Sequence, residues 1–490
     1  MKVLIVGYGM AGSRLATELR ARSSDIKITV LGAEPHRAYN RILLSNVLAG
    51  KVSESDVSLA EVAGHGLDLH AGVTVTSIDR AARTVTTDRQ DVLEYDHLVL
   101  ATGSKAIVPP LTNLDRVNLP ERVAVFRTLD DCRRILATAA GARTALVLGG
   151  GLLGLEAARG LATRGLSVQV VHGVGHLMER QLDPAAGAVL VRTLADLGIT
   201  AHLDAMAASV DARDDGVTLG LAGGAELSAD LLVIACGVRP DVELARAAGL
   251  TVERAVVVDD RLRTNDRRIS AIGDCAQHAG AVSGLVAPAW EQARVVAQVL
   301  AGADPLARYR PLPTVTRLKA SGIDLAAMGE PTPAGTAYEE LSFTDPARGT
   351  YAKLILDGDR LAGAIMLGDN PAVGTVIQLF DRGAPVPSDR RALLLGRALG
   401  GSAAVPVETP ALMPDAATVC QCNNVSKGAL VRCWRAGART TGEVVARTRA
   451  TTGCGTCRDA VDGIVDWLSA VDSDLRPGRH RPELEQEVTR

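Results

Sequence analysis

Four cysteines crowd the C-terminal part of the chain: Cys420-Gln421-Cys422 and, after 31 intervening residues, Cys454-Gly455-Thr456-Cys457. A C-x-C followed by a C-x-x-C presents four thiolates, a donor set for a [2Fe–2S] cluster or a zinc ion. Zinc-finger pairs usually enclose two to four residues, so the one-residue spacing of the first pair favours the cluster. Zinc and a disulfide pairing are the other chemistries open to this set. Cys132, Cys236 and Cys275 stand alone in sequence and read as small buried hydrophobes, and Cys433, between the two pairs without a partner, reads as structural. Eight cysteines in 490 residues do not describe a secreted disulfide framework.

Two glycine-rich turns carry a second chemistry. Gly7-Tyr8-Gly9-Met10-Ala11-Gly12 follows the apolar run Lys2 to Val6, and Gly149-Gly150-Gly151-Leu152-Leu153-Gly154 follows the run Thr144 to Leu148. Each is a G-x-G-x-x-G between an expected strand and an expected helix, the order of a βαβ dinucleotide fold. Glycines let the backbone approach a pyrophosphate, and the helix N-terminus supplies N–H donors. The first helix is expected from Ser13 to about Arg22 and the second from Leu155 to Arg164. The following strands are expected at Ile26 to Leu31 and Leu166 to Val171. Glu34, two residues past the usual acidic position, can accept from ribose hydroxyls. The second strand ends instead at His172, which can bond a ribose hydroxyl or accommodate a 2′-phosphate, so NADH and NADPH both stay open. Two such folds imply two dinucleotides, one FAD held permanently and one NAD(P)H that exchanges.

The elements that position these groups belong to a large α/β chain. At about 150 residues per domain, 490 residues suggest about three domains. A hydrophobic fraction of 47% against 22% charged residues excludes a mainly disordered chain. A net charge of −3 and 2% aromatics argue against a nucleic-acid binder. No apolar stretch reaches the ~18 residues needed to span a bilayer. The apolar run at the N-terminus leads into a glycine turn rather than a cleavage site, so a cytoplasmic location is expected. Between Cys420 and Ala460 there are seven basic and two acidic residues, a basic patch that suits a thiolate cluster or an acidic protein partner.

Further segments carry a family resemblance. Leu98-Val99-Leu100-Ala101-Thr102-Gly103-Ser104, Ala235-Cys236-Gly237-Val238-Arg239-Pro240 and Ile269-Ser270-Ala271-Ile272-Gly273-Asp274-Cys275 resemble the ATG, G-x-R-P and second FAD turns of two-dinucleotide, disulfide-reductase-like flavoproteins. In that family the NAD domain is inserted within the FAD domain, and the Asp of the second FAD turn contacts the ribityl chain. Tyr39 to Ser45, Leu177 to Asp183, Trp290-Glu291-Gln292-Ala293 and Leu361 to Asn370 resemble the flavoprotein part of NAD(P)H-dependent nitrite reductases. They equally resemble the electron-transfer subunits of assimilatory nitrate reductases. The C-terminal cysteines resemble a bacterioferritin-associated-ferredoxin-like [2Fe–2S] domain. The resemblance implies that Ala101, Thr102, Gly103, Gly237, Gly273, Asp274 and Trp290 line the cofactors. It places Arg41 near the flavin and Glu156 near the nicotinamide or isoalloxazine, as the catalytic pair. Related ferredoxin reductases carry Lys after the Leu-Ser pair where this chain has Asn46, so their Glu–Lys pair is not available here.

The expected architecture is α/β. It comprises an FAD domain (1–112 and 241–310), an NAD(P)H domain (113–240) and a small α/β interface domain (311–400). A linker (401–417), a small helical iron–sulfur domain (418–472) and a tail (473–490) follow. No C-x-x-C or C-x₄-C follows the first fold, which disfavours a flavin-adjacent redox disulfide. The expected activity is therefore electron transfer, from NAD(P)H through FAD and the [2Fe–2S] cluster to a protein acceptor. By resemblance that acceptor is the catalytic subunit of an assimilatory nitrate reductase. A separate nitrite reductase or ferredoxin-type acceptor is the nearest alternative. An opine- or amine-oxidising flavoprotein subunit and a non-catalytic redox sensor are others. A complete nitrite reductase needs four further cysteines for sirohaem and [4Fe–4S] chemistry, and the eight cysteines are already accounted for.

Overall fold

The computed structural model describes residues 1–59, 67–311, 313–318, 320–332, 338–395, 410–415, 417–420, 425–451 and 457–474. They form two compact units, 1–401 and 402–490.

Val3, Leu4, Ile5 and Val6 are all buried, the signature of a strand covered on both faces. Lys2–Val6 is the central strand of a five-stranded parallel sheet, in the order Leu67–Ala71, Lys27–Gly32, Lys2–Val6, His97–Leu100, Ile269–Ala271. A second parallel sheet repeats the pattern, in the order Ile199–His202, Ser167–Val171, Thr144–Leu148, Leu231–Ile234, Val123–Val125. The fifth strand tells the two apart. In the first sheet it comes from residues 269–271, beyond the whole second sheet in the chain. In the second it comes from residues 123–125, ahead of the other four. The second fold is thus an insertion into the first. A short antiparallel ribbon, Ser104–Ala106 against Val238–Pro240, joins them at the two crossings.

The glycine-turn helices span Met10–Arg22 and Leu152–Thr163, each starting three residues before the expected position. They begin inside the glycine motif because Gly9 and Gly151 are the N-caps, leaving Met10, Ala11, Leu152 and Leu153 in the first turns. Met10–Arg22 buries Leu15, Ala16 and Leu19, and packs on helix Val286–Leu300. Each such fully buried leucine contributes about 1.5–3 kcal/mol.

Residues 315–395 add an antiparallel sheet, in the order Val315–Arg317, Leu325–Met328, Arg360–Leu367, Thr350–Asp357, Glu339–Asp345, with helix Val373–Arg382 packed on it. Among the described residues no helix is long and apolar enough to cross a membrane.

The second unit holds a two-stranded ribbon, Thr418–Cys420 with Val425–Ser426, and helices Lys427–Arg435, Thr441–Thr448 and Arg458–Asp474. Trp434 Nε1 donates to Asp472 Oδ2 at 2.8 Å and ties the first helix to the last. The last helix continues through Asp474, into the segment expected as a tail. Most of the expected linker and the rest of the tail lie outside the described residues.

Candidate functional site

The first glycine turn is shaped by steric exclusion. Gly7 has φ of +118°, and a Cβ there would lie 2.1 Å from the Ala101 carbonyl oxygen. A Cβ on Gly12 would lie 1.9 Å from the Gly7 carbonyl oxygen. Glycine at these positions lets the turn close beneath the helix and against the Ala101-Thr102-Gly103 turn. Thr102 Oγ1 donates to the Asp241 carbonyl at 2.6 Å, holding that turn to the return crossing. Gly273 faces the same helix start, its would-be Cβ 3.2 Å from Ala11 Cβ. Gln292 Oε1 receives the Gly273 N–H at 2.7 Å. Asp274 Oδ2 accepts from Ser104 Oγ and from Arg127 Nη2, both at 2.7 Å.

At the end of the neighbouring strand, Glu34 accepts from Tyr39 Oη at 2.6 Å and pairs with Arg41. Burial pushes the Tyr39 hydroxyl pKa well up, so it stays a donor to that carboxylate. The Arg41 guanidinium lies 5.1 Å from the Tyr39 ring centroid and 3.4 Å from the Arg127 carbonyl oxygen. Arg41 therefore stands with Glu34, just past the strand that follows the first turn. Trp290 is buried on the helix beside Gly273, with Arg14 5.1 Å from its ring. Its Nε1 makes no hydrogen bond among the described residues.

The second turn repeats the backbone. Gly149 also has φ of +118°, and its would-be Cβ falls 2.4 Å from the Ala235 carbonyl oxygen. A Gly154 Cβ would meet the Gly149 carbonyl oxygen at 2.0 Å. Gly237 lies in the turn that leads into the antiparallel ribbon, its carbonyl accepting from Ile107 N–H at 3.0 Å. Glu156 is buried on helix Leu152–Thr163. Through Gly160 that helix packs on Leu44–Leu48, the helix carrying Asn46. Arg164 donates to the Val47 carbonyl at 3.2 Å and also to that of Leu48. His172 lies at the strand end, its Nδ1 accepting from Gly150 N–H at 3.1 Å.

Both glycine-turn helices lack a side-chain cap and any acidic residue in the first turn. Leu129–Ala139, by contrast, has a Thr128/Asp131 capping box, and Pro184–Asp196 is capped by Asp183. Free N–H groups and an unneutralised positive helix end suit a phosphate ligand. The cradles that a Cβ would fill, the orphaned Trp290 N–H and these uncapped ends fit two dinucleotides.

Of the four clustered cysteines, Cys420 closes its ribbon strand and Cys457 precedes the last helix, and both are buried. Cys422 and Cys454 lie outside the described residues. Cys132, Cys236 and Cys275 are poor nucleophiles. Burial pushes Cys132 up to about 12, Cys236 up to about 11, and Cys275 above its ordinary value.

Sequence reasoning missed Arg127. A capping box at Thr128 signals the helix that follows, but nothing local directs the preceding arginine to Asp274, 147 residues away. It also missed Glu179, which stands 3.3 Å from His172 Nε2.

Two parallel sheets, one inserted in the other and each with its own glycine cradle, define a flavoprotein oxidoreductase with two dinucleotide sites. The chain belongs to the pyridine nucleotide-disulphide oxidoreductase family, whose profile matches residues 1–296. It is an FAD- and NAD(P)H-dependent enzyme with a third redox module. A BFD-like [2Fe-2S] binding domain matches residues 418–467, and a rubredoxin NAD+ reductase C-terminal domain matches residues 314–382.

Among its relatives is a nitrite reductase [NAD(P)H] of Bacillus subtilis (strain 168), 35% identical over 96% of this chain and 58% of the relative. An assimilatory nitrate reductase electron transfer subunit of the same organism is 34% identical over 96% of this chain and 60% of its own length. The chain thus spans about three fifths of the length of these two relatives. Among solved structures, the reductase of a covalent putidaredoxin reductase–putidaredoxin complex superposes with a TM-score of 0.71. It is 26% identical, covering 79% of this chain and 94% of that one. A NAD-dependent persulfide reductase from A. fulgidus has the same TM-score and identity, over 79% and 77% of the two chains.

Proposed function

We propose that this chain oxidises NAD(P)H and exports single electrons to the catalytic subunit of an assimilatory nitrate reductase. The observation that carries this is the pairing of two dinucleotide folds with a [2Fe-2S] domain, while Cys132, Cys236 and Cys275 are separate thiols, two of them buried and Cys236 half-buried. A redox disulfide between any two of these three is not what the fold offers, so the electrons need another exit. When bound, FAD and the cluster supply the conversion of a hydride's electron pair into single electrons and their conduction to an acceptor.

In this reading residues 1–112 and 241–310 hold FAD and residues 113–240 hold NAD(P)H. Residues 311–400 form an interface domain, and Cys420, Cys422, Cys454 and Cys457 hold the cluster. Gly7, Gly9 and Gly12 with Met10 and Ala11 bind one pyrophosphate; Gly149, Gly151 and Gly154 with Leu152 and Leu153 bind the other. Glu34 receives the FAD ribose hydroxyls, and Arg41 fixes the position of that carboxylate. Asp274, held by Ser104 and Arg127, orients the ribityl chain. Glu156 lies beside the nicotinamide on a helix packed against the Arg41–Leu48 region. The hydride step asks for alignment of two rings rather than for a proton donor. A cytoplasmic location belongs to the same proposal.

An anaerobic titration with NADH and then NADPH tests this, with absorbance following the flavin and low-temperature EPR following the cluster. Flavin bleaching followed by a reduced [2Fe–2S] signal is expected. Adding purified nitrate reductase catalytic subunit should then give nitrate-dependent nucleotide oxidation. Nitrite-dependent oxidation with a separate nitrite reductase instead would reassign the acceptor. A flavin that neither nucleotide bleaches would overturn the proposal in favour of an organic-substrate oxidase. Zinc in place of iron would remove the electron exit.

A further inference from the structure

His172 stands where a dinucleotide fold usually offers a carboxylate to the adenosine ribose. Its ring is oriented by the glycine turn itself. The Gly150 N–H donates to Nδ1 at 3.1 Å, so Nδ1 carries no proton and the ring proton sits on Nε2. Nε2 is buried and makes no hydrogen bond among the described residues. Glu179 Oε2 stands 3.3 Å from it, near enough for attraction but without hydrogen-bond alignment. A donor and an acceptor thus lie side by side at the strand end, and the pair does not saturate itself.

Glu179 is brought there by a tightly held segment. Leu177 occupies the space beside Gly150, its Cδ2 2.5 Å from a would-be Cβ. Met178 N–H donates to the Gly150 carbonyl at 3.0 Å. Met178 is fully buried with φ of +51°, a left-handed backbone that a non-glycine residue adopts when packing imposes it. Gln181 and Leu182 bond back to the Met178 carbonyl at 2.8 and 2.9 Å. Asp183 then anchors the segment to Tyr351 Oη at 2.7 Å. Asp204 lies against the same loop, its Oδ1 3.5 Å from the would-be Cβ of Gly175. Arg180 is the adjacent cation, with its side chain exposed.

We infer that Glu179, paired with His172, selects the nicotinamide nucleotide, and that the chain takes NADH in preference to NADPH. A ribose hydroxyl can accept from His172 Nε2–H and donate to Glu179. A 2′-phosphate carries roughly −1.5 to −2 charge and has no proton to give that carboxylate. It would meet like charge from Glu179. Glu179 thereby does, from seven residues further along the chain, the work of the acidic strand-end residue that His172 replaces. This rests on the reading of the second fold as the NAD(P)H site.

The test is isothermal titration calorimetry of the full-length, FAD-loaded protein with NAD+ and with NADP+, for the wild type and for Glu179→Gln and Arg180→Ala. The wild type should bind NAD+ at least about tenfold more tightly, and Glu179→Gln should narrow that ratio by about tenfold. The visible spectrum of bound FAD reports that the variants are folded. A wild type that favours NADP+ would overturn the inference, as would a ratio unchanged in Glu179→Gln. Selective loss of NADP+ binding in Arg180→Ala would assign the 2′-phosphate to that arginine instead. If neither nucleotide binds, the NAD(P)H reading of the second fold fails and the inference with it; binding of both without preference defeats the inference alone.

Discussion

Gly7 and Gly149 share a φ of +118°, directly follow the central strands of two five-stranded parallel sheets, and face equivalent carbonyls of Ala101 and Ala235. The side chains around the two turns differ. In the first fold, Glu34 is engaged by Tyr39 and Arg41, and Asp274 by Ser104 and Arg127. In the second, His172 is oriented on one nitrogen only and Glu179 stands beside the other without bonding it. One backbone solution to pyrophosphate binding thus carries a cross-braced site and a more open one. That contrast suits a resident flavin and an exchanging nicotinamide. In the proposed reading the glycine motif sets where a dinucleotide lies, while residues distant in sequence set which one it is and how long it stays.

The sharpest way to break the comparison is to block each turn in turn. Gly7→Val should yield protein without flavin, because a Cβ collides with the Ala101 carbonyl in a left-handed turn. Gly149→Val should keep full flavin content and lose nucleotide affinity by at least about a hundredfold. Visible absorbance and calorimetry read the two losses. Flavin loss in Gly149→Val would show that the folds are not separable.

The second fold has an attachment to the antiparallel sheet through a buried charge cluster. Lys353 Nζ lies 3.3 Å from Asp183 Oδ2 and 3.1 Å from Glu340 Oε2, and donates to the Pro331 carbonyl at 3.2 Å. Lys353→Met leaves the Asp183 carboxylate buried without its cation, at a cost of about 3–5 kcal/mol. Calorimetry should show a lowered unfolding temperature, and NAD+ affinity should fall with flavin content unchanged. An unaltered unfolding temperature would mean that Tyr351 and the helix cap alone satisfy Asp183.

The fourth strands of the two sheets differ at their first residue, His97 in one and Leu231 in the other. Burial holds His97 down at about 4, and its Nε2 is 3.0 Å from Ser270 Oγ on the fifth strand. The folded state therefore keeps the ring neutral, while the unfolded chain protonates it below its ordinary value of 6.5. This group contributes no pH dependence above about 6.5, and stability falls as the pH drops from there towards about 4. The loss approaches on the order of 3 kcal/mol at the acid end. His97→Gln should flatten the unfolding temperature between pH 6.5 and pH 4; an unchanged slope would place the acid sensitivity elsewhere.

The smallest effect sharpens the contrast at the strand ends. Glu34→Gln keeps the Tyr39 contact and loses the Arg41 ion pair, and should raise the FAD dissociation constant by about tenfold. Calorimetry of FAD with the deflavinated protein measures it. No change would exclude the FAD ribose from Glu34 and leave that carboxylate a structural partner of Arg41.

Both glycine turns, their flanking strands and the paired-cysteine module were legible because short-range rules govern them. A positive φ, a strand buried on both faces and a four-thiolate spacing leave marks within a dozen residues or in one repeated pattern. Helix starts were misplaced by three residues because helical geometry begins inside the glycine motif, at the unbonded N-terminal turn that a ligand would occupy. The site's wider chemistry was less legible. Arg127 reaches Asp274 across 147 positions, and that contact exists only because the second fold is inserted between the strands of the first.

The sequence by itself determined that two dinucleotide turns and a cysteine cluster module share this chain, since local sterics and ligand spacing are encoded residue by residue. Tertiary structure alone decided that residues 269–271 complete the first sheet, that Arg41 stands against Glu34, and that Glu179 reaches His172. Those outcomes depend on packing between distant segments: a left-handed Met178 forced by burial, and a loop folded down onto Gly150. No local preference encodes either, because each is stable only when the rest of the fold is already around it.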